Sequence, residues 1–486
     1  TKETMEVLVL LAVLFYVAIL LRQRSRRSRA QTTLHKVVDT AAAHRALNEK
    51  ANAFSDRPAA IFPVVLAIGL HGERNENITT VKYGPHWRAL RCNLMAKSLH
   101  PSRLGSLAPM QREASQALVA DLSGLVRDVA GEVLVVRGHI NAAVFGLVAR
   151  LCFGDGVDGG HVRAMELVIQ DFIVAMGELN PVFDGTMLCK LMNWRRLGRL
   201  FAFLGRQTKL FLPLINERRQ PESRSCTAGG GVEPYVDSLL DLRVPDDDDA
   251  GGKQGMDARR ELRDDELVSL VSEFLGAGSG SVVASLEWTL AHLVDQPDVQ
   301  DKLRREIIDG ETSNGGVVST KSLRGMPYLH AVVMESLRMH PPVPFVLRGV
   351  HGEGAAAVGA TMAAVPADGL RVQFVVGDIG RDSKTWTDPD EFRPERFLAG
   401  GEVEGIGPTP GPKEIRMMPF GAAHRHCPGS SQAMMNIKFF LAALVREFKW
   451  APPADDRSVD LTELDGFFKV MKKPLPVRVT RRTGVV

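Results

Sequence analysis

Apolar and polar positions alternate along this chain in patterns that mark out its elements. Val7–Leu21 is an unbroken apolar run of 15 residues. Residues 430–447 carry Ala433, Met434, Ile437, Phe440, Leu441 and Leu444 at helical spacing, which predicts an apolar helix. Asp264–Val294 is the longest helical pattern. Asp264 and Asp265 charge its start, and Leu267, Leu270, Phe274, Leu286, Leu290 and Leu293 give it apolar faces. Tyr328–Met339 predicts another helix, ended by the prolines of His340–Phe345. Pro85 opens a helix within Tyr83–Asn93. Ala43–Asn52 reads as helical. So do Ala142–Cys152 and Glu166–Met176, inside a region from 110 to 215 rich in Leu, Val and Phe. Val372–Val376 and Leu475–Val479 read as strands of a small sheet. Arg219–Arg259 is linker-like, with Gly229–Gly231, the solvated run Asp246–Asp249, and a short helix within Tyr235–Leu242.

The middle of the longest helix reads Gly276-Ala277-Gly278-Ser279-Gly280-Ser281. Each glycine inside a helix costs about 1 kcal/mol against alanine, so three within five residues need a reason. Either the helix packs closely on a neighbour, or its backbone yields to a flat ligand with a local widening.

Composition adds limits. The chain has 486 residues, 45% of them hydrophobic, enough for a large core. Its net charge of +3 is too small to argue for nucleic acid. Cysteines at 92, 152, 189, 226 and 427 are odd in number and unpaired in spacing, which fits a reducing compartment. Arg22, Arg24, Arg26, Arg27 and Arg29 follow the first apolar run. That order suits an uncleaved signal-anchor with everything downstream in the cytosol. A cleaved signal or a buried helix are the other readings, since a bilayer span needs about 20 residues.

One stretch concentrates chemistry. Pro419–Gly429 reads PFGAAHRHCPG and places Cys427 just before the apolar helix, with Pro428 at a first helical position. A helix N-terminus favours an anion, so the thiol is biased towards thiolate, a metal ligand. A lone buried structural cysteine is the bland alternative. Trp87 and Arg91 are four apart and share a helix face; Glu335 and Arg338 are three apart.

The loop resembles the haem-binding loop F-x-x-G-x-R-x-C-x-G of the cytochromes P-450. Phe420, Arg425, Cys427 and Gly429 match, and Ala423 stands where the family has its second glycine. Glu335 and Arg338 match the family's E-x-x-R, Arg396 in FRPERF supplies its third member, and Cys427 follows 31 residues later. The glycine-rich segment resembles the helix over the distal haem face, [AG]-G-x-[DE]-T. Ala277, Gly278 and Ser279 fit, while Gly280 replaces the acid and Ser281 the threonine. The resemblance covers roughly residues 40–480. It lacks the proline-rich hinge and first strands usual after a microsomal anchor.

The resemblance implies a mainly α fold, one large helical domain with small β-sheets at 31–486, behind an N-terminal anchor and basic flank at 1–30. It implies haem b, with Cys427 as the iron ligand, Phe420 beside the sulfur, Ala277 and Gly429 against the haem, and Trp87, Arg91 and Arg425 at the propionates. Arg348 is a looser candidate. Glu335, Arg338 and Arg396 would lock the loop from beneath. Ser279, Gly280 and Ser281 would form the catalytic segment, with water entering the space that Gly280 leaves. The implied activity is monooxygenation of a small hydrophobic molecule. Electrons would come from NADPH through NADPH-cytochrome P450 reductase, at the endoplasmic reticulum membrane of a plant. A haem-thiolate isomerase or dehydratase needing no O2, or a catalytically impaired haem protein, are the alternatives.

Overall fold

The computed structural model describes residues 34–57, 77–128, 133–183, 194–225, 232–245, 259–312, 319–350, 354, 358, 370–454 and 458–482. The predicted anchor at Val7–Leu21 and the run Asp246–Asp249 lie outside the described residues, as do Cys189 and Cys226.

In chain order the elements are β1 (Leu34–Val37), α1 (Pro85–Leu94), α2 (Leu104–Asp128), β2 (Val133–Val135), α3 (Arg137–Phe153) and α4 (Gly159–Phe183). Then come α5 (Trp194–Arg219), α6 (Tyr235–Leu240), β3 (Arg243–Pro245), β4 (Arg259–Glu261), α7 (Asp264–Asp295) and α8 (Pro297–Thr312). The C-terminal part holds α9 (Pro327–Met339), β5 (Phe345–Val350), β6 (Leu370–Val375), α10 (Ser430–Glu447), β7 (Phe448–Ala451), β8 (Glu463–Asp465), β9 (Lys469–Met471) and β10 (Pro476–Arg481). The expected helix at Ala43–Asn52 is broken into an α-helical turn over Thr40–His44, a wider turn over Arg45–Glu49 and a 3-10 turn over Ala51–Phe54.

Helices dominate and the sheets are small. β1 pairs parallel with β6, and β5 pairs antiparallel with β6, with Leu347 opposite Gln373. β10 lies between β2 and β7. β3–β4 and β8–β9 are two-stranded. This is the mainly α domain with small sheets that the sequence implied.

α7 is the axle. Its first turn carries Asp264, Asp265 and Glu266, which complement the helix dipole. Glu266 accepts from the Arg263 N–H at 2.8 Å and so satisfies one free amide of that turn. The C-terminal half of α7 is buried with α2, α9 and α10, and the N-terminal half with α1, α3, α4 and α5. Among the described residues it is the one helix long and apolar enough to cross a membrane, but it is mostly buried, so its apolarity serves the core.

α7 is also one continuous α-helix, so the expected local widening at Gly276–Ser281 is absent. Packing accounts for two of the glycines instead. A Cβ at Gly278 would lie 3.0 Å from Val148 Cγ1 on α3. A Cβ at Gly280 would lie 2.5 Å from the ring of Phe468, in the turn between β8 and β9.

Candidate active site

α10 starts at Ser430 with Gly429 as its N-cap, so Pro428 is in a turn rather than at a first helical position. Cys427 therefore precedes the helix by three residues, where the dipole is weaker than the sequence suggested. The loop before it is folded tightly. The Cys427 N–H donates to Phe420 O at 2.8 Å, and the His426 N–H to Ala423 O at 3.1 Å. Gly421 has φ +70°, and Ala423 has φ +61°. The first is easy for glycine. The second is a left-handed conformation that an L-residue enters at a cost of about 1–2 kcal/mol.

The loop borders a cavity of about 980 Å³, walled by α7 on one side. Cys427, Phe420, Arg425 and Gly429 line it, together with Trp87, Arg91, Ala277 and Ser281. So the structure brings eight of the proposed haem-site residues to one cavity. Ser279 and Gly280 are not among them. The Ser279 hydroxyl is buried and donates to Leu275 O at 2.7 Å. The notch beside Gly280 is filled by Phe468, which overturns the expected water space there. Ser281 donates to Ala277 O at 2.8 Å and lines the cavity, with acceptor capacity left on its hydroxyl.

Burial pushes the Cys427 thiol up; the Gly429 N–H and the nearby Arg91 and Arg57 pull it down, but burial wins. Desolvation thus opposes the thiolate bias inferred from the helix start.

Positive charge crowds the same end of the cavity. Burial depresses Arg57, Arg91 and Arg348 below their usual range. Arg425 is depressed to about 10 by burial and by repulsion from Arg57. Three side-chain N–H groups there are buried with no acceptor: Trp87 Nε1, Arg57 Nε and Arg348 Nε. Buried donors are normally satisfied, so this set fits a cofactor that brings anionic acceptors. Glu273 on α7 opposes part of the charge. Burial raises its pKa, while it accepts from the Ile78 N–H at 3.0 Å and the Thr79 N–H at 2.8 Å.

Arg425 departs from expectation. Its guanidinium donates to Ser55 O at 2.6 Å, Ile78 O at 3.2 Å and Val81 O at 2.6 Å. Its donors are directed at backbone carbonyls, so it ties the loop to two distant segments. Arg57 and Glu273 are not legible as site residues in the sequence. No local motif surrounds either one, and only the fold brings them to the cavity.

Glu335, Arg338 and Arg396 lie together, each at most 2% exposed. Arg338 grips Glu335 with two bonds, of 2.7 and 2.8 Å, and Arg396 Nε donates to Glu335 at 3.2 Å. The cluster's further bonds run to the segment from Gly380 to Glu402, ahead of the loop. Arg338 lies 5.0 Å from the Trp386 ring, and Trp386 Nε1 donates to Arg416 O at 3.2 Å, just ahead of the loop.

A mainly helical domain, an apolar cavity along a central helix and a cysteine loop at its edge define the haem-thiolate class. Residues 27–481 match the family profile described as Cytochrome P450. The chain belongs to the cytochrome P450 family and is a monooxygenase of the plant type. It is 32% identical over 452 residues to cytochrome P450 89A9 of Arabidopsis thaliana, covering 92% of this chain and 84% of the relative. It is 29% identical over 425 residues to cytochrome P450 98A1 of Sorghum bicolor, covering 82% and 74%. A zebra fish cytochrome P450 structure with progesterone matches with a TM-score of 0.70 at 21% identity, over 92% of this chain and 93% of that one, and supports the fold.

Proposed function

We propose that this monooxygenase holds haem b through Cys427 and inserts one oxygen atom into a small hydrophobic substrate. The observation that carries the reading is the cavity edge itself: one thiol, four arginines and three buried donors without acceptors. Haem, when bound there, supplies the oxygen-activating chemistry. The remaining work belongs to the chain. Cys427 presents its sulfur beside the Gly429 N–H and the cations Arg91 and Arg57, which favour the thiolate. Trp87 Nε1, Arg91, Arg57 and Arg348 offer donors for two carboxylates. Phe420 packs at the same edge, and Ala277 and Gly429 leave room for a flat group. Ser281 Oγ can hold a proton-bearing water over the cavity, while Phe468 in the Gly280 notch keeps bulk water from that side of α7. Glu335, Arg338 and Arg396 position the segment that leads into the loop.

Electrons come from NADPH through NADPH-cytochrome P450 reductase. The chain is held at the endoplasmic reticulum membrane by Val7–Leu21, with the catalytic domain on the cytosolic side. Support for this is the apolar run followed by five arginines. Retention in the pellet after carbonate extraction, weakened by deleting residues 1–29, is the expected result. Wholly soluble full-length protein would refute it.

The haem reading is tested by the carbon monoxide spectrum of the reduced protein. A red-shifted Soret band is expected in the wild type and in Cys92→Ala and Cys152→Ala. Cys427→Ala should lose it. Retention of the band in Cys427→Ala sinks the assignment.

A further inference from the structure

Buried polar atoms without partners mark places where a folded chain expects something else to bind. Three of those bordering the cavity sit at the cysteine end and suit the cofactor. Gln207 is different. It projects from α5, is 1% exposed, and its Nε2 has no hydrogen-bond partner. Its neighbours on this wall of the cavity are Phe172, Ile173 and Met176 of α4 and Leu204 and Leu212 of α5. Thr208 also lines this wall, but its hydroxyl donates to Leu204 O at 3.1 Å, so the Gln207 amide is an unpaired neutral donor in a largely apolar wall.

A side chain at this place could as well have been leucine. The amide must be desolvated to reach its position, and leaving a buried donor unpaired costs roughly five- to hundredfold in an equilibrium. A ligand that supplies an acceptor recovers that factor, and a ligand that lacks one does not. The α7 residues on the cavity wall extend from Asp264 to Ser285, about 30 Å along the helix axis. A ligand can thus lie along α7 while one atom meets Gln207.

We propose that Gln207 determines specificity by donating from Nε2 to a carbonyl oxygen on an otherwise apolar substrate. The inference rests on the haem monooxygenase reading and narrows it to ketone-like or lactone-like hydrophobic molecules. The neutral amide suits a neutral acceptor. Arg57, Arg91, Arg348 and Arg425 lie at the cysteine end, and Arg263, which also lines the cavity, is paired with Asp265 and Glu266.

The test uses haem-loaded full-length protein and two matched probes, bicyclohexyl and 4-cyclohexylcyclohexanone, which differ by one carbonyl. Binding is measured by calorimetry and by the shift of the haem absorption band. The ketone is expected to bind about tenfold more tightly than the hydrocarbon in the wild type. In Gln207→Leu the ratio should fall below one, because the ketone carbonyl is then buried without a donor while hydrocarbon binding holds or improves. Gln207→Met keeps the side-chain length, serves as the second variant and should give the same ratio. A wild type that does not distinguish the probes, or variants that keep the tenfold ratio, would overturn the proposal. The carbon monoxide spectrum is read on the same samples. Failure of the haem reading appears as a missing red-shifted band in the wild type. Failure of the Gln207 proposal appears as the wrong ratio with that band in place.

Discussion

Replacing Gly280 with alanine separates two opposed effects, and the structure says which wins. Alanine is the better helix former by about 1 kcal/mol. Its methyl, however, would sit 2.5 Å from Phe468 Cε2 and 2.9 Å from Cδ2. Phe468 is 6% exposed, and the residue after it is anchored by two hydrogen bonds. The Lys469 N–H donates to Pro342 O at 2.8 Å, and Trp288 Nε1 donates to Lys469 O at 3.1 Å. The ring cannot withdraw freely, so the overpacking cost falls in the usual range of about 1–3 kcal/mol. Gly280→Ala should therefore destabilise by about 1 kcal/mol on balance. In a Phe468→Ala background the notch is open, and the same change should stabilise by about 1 kcal/mol. The coupling between the two sites is then about 2 kcal/mol, inside the range of contacting pairs. Guanidinium unfolding of the four haem-loaded proteins at unchanged m-value gives the cycle. Equal stabilisation by Gly280→Ala in both backgrounds would mean that the ring does not occupy the notch. The same clash means that Gly280→Glu cannot simply restore an acid over the cavity.

Other outcomes follow from the same geometry. Arg396→Ala removes donors to Glu335, Glu402 and Asp388 O while Arg338 still holds Glu335, so it should cost about 2–4 kcal/mol and lower haem incorporation. Normal incorporation with lost turnover would refute its structural role. Ala423→Gly relieves the left-handed strain at φ +61° and should stabilise by about 0.5–1 kcal/mol in urea unfolding, after the entropy that glycine loses; a destabilised variant counts against that conformation. Burial, with Lys438 near, pushes the His330 pKa down to about 4. The unfolded imidazole takes up a proton near pH 6.5 and the folded one does not, so acidification favours unfolding. Stability should fall between pH 6.5 and pH 4, by about 3 kcal/mol from this group. His330→Gln should flatten that slope in unfolding midpoints, and an unchanged slope would exclude His330 as a source.

What could be read from the residues was local. The loop around Cys427, the pair Glu335 and Arg338, and the helices at Pro85, Asp264 and Ser430 are contiguous strings, and their periodicity or spacing survives without the fold. Three-residue strands such as β8 and β9 are too short to show a period of two, so the turn that carries Phe468 is invisible in the sequence. With it goes the reason for Gly280: an absent side chain does not say what stands in its place. Glu273 meets Ile78 and Thr79 across nearly two hundred residues of chain, and Arg57 meets the thiol's field from even further away. The thiolate bias met an opposing effect that the sequence does not show. It rested on the helix dipole alone. Desolvation of the partly buried sulfur opposes it, and no linear pattern reports how far a single residue is covered.

The three bonds of Arg425 also set a clock on synthesis. Ser55, Ile78 and Val81 emerge early, and Arg425 follows Val81 by 344 residues. At 5–20 residues per second, roughly 20–70 s of translation separate these partners. Until then three backbone carbonyls near the start of the domain have no guanidinium to meet, and the cofactor's pocket cannot close around it. A pocket that needs Arg425 in place would capture haem only at the end of translation. A nascent chain stalled before residue 425 should be unable to retain haem, however well its earlier helices have formed.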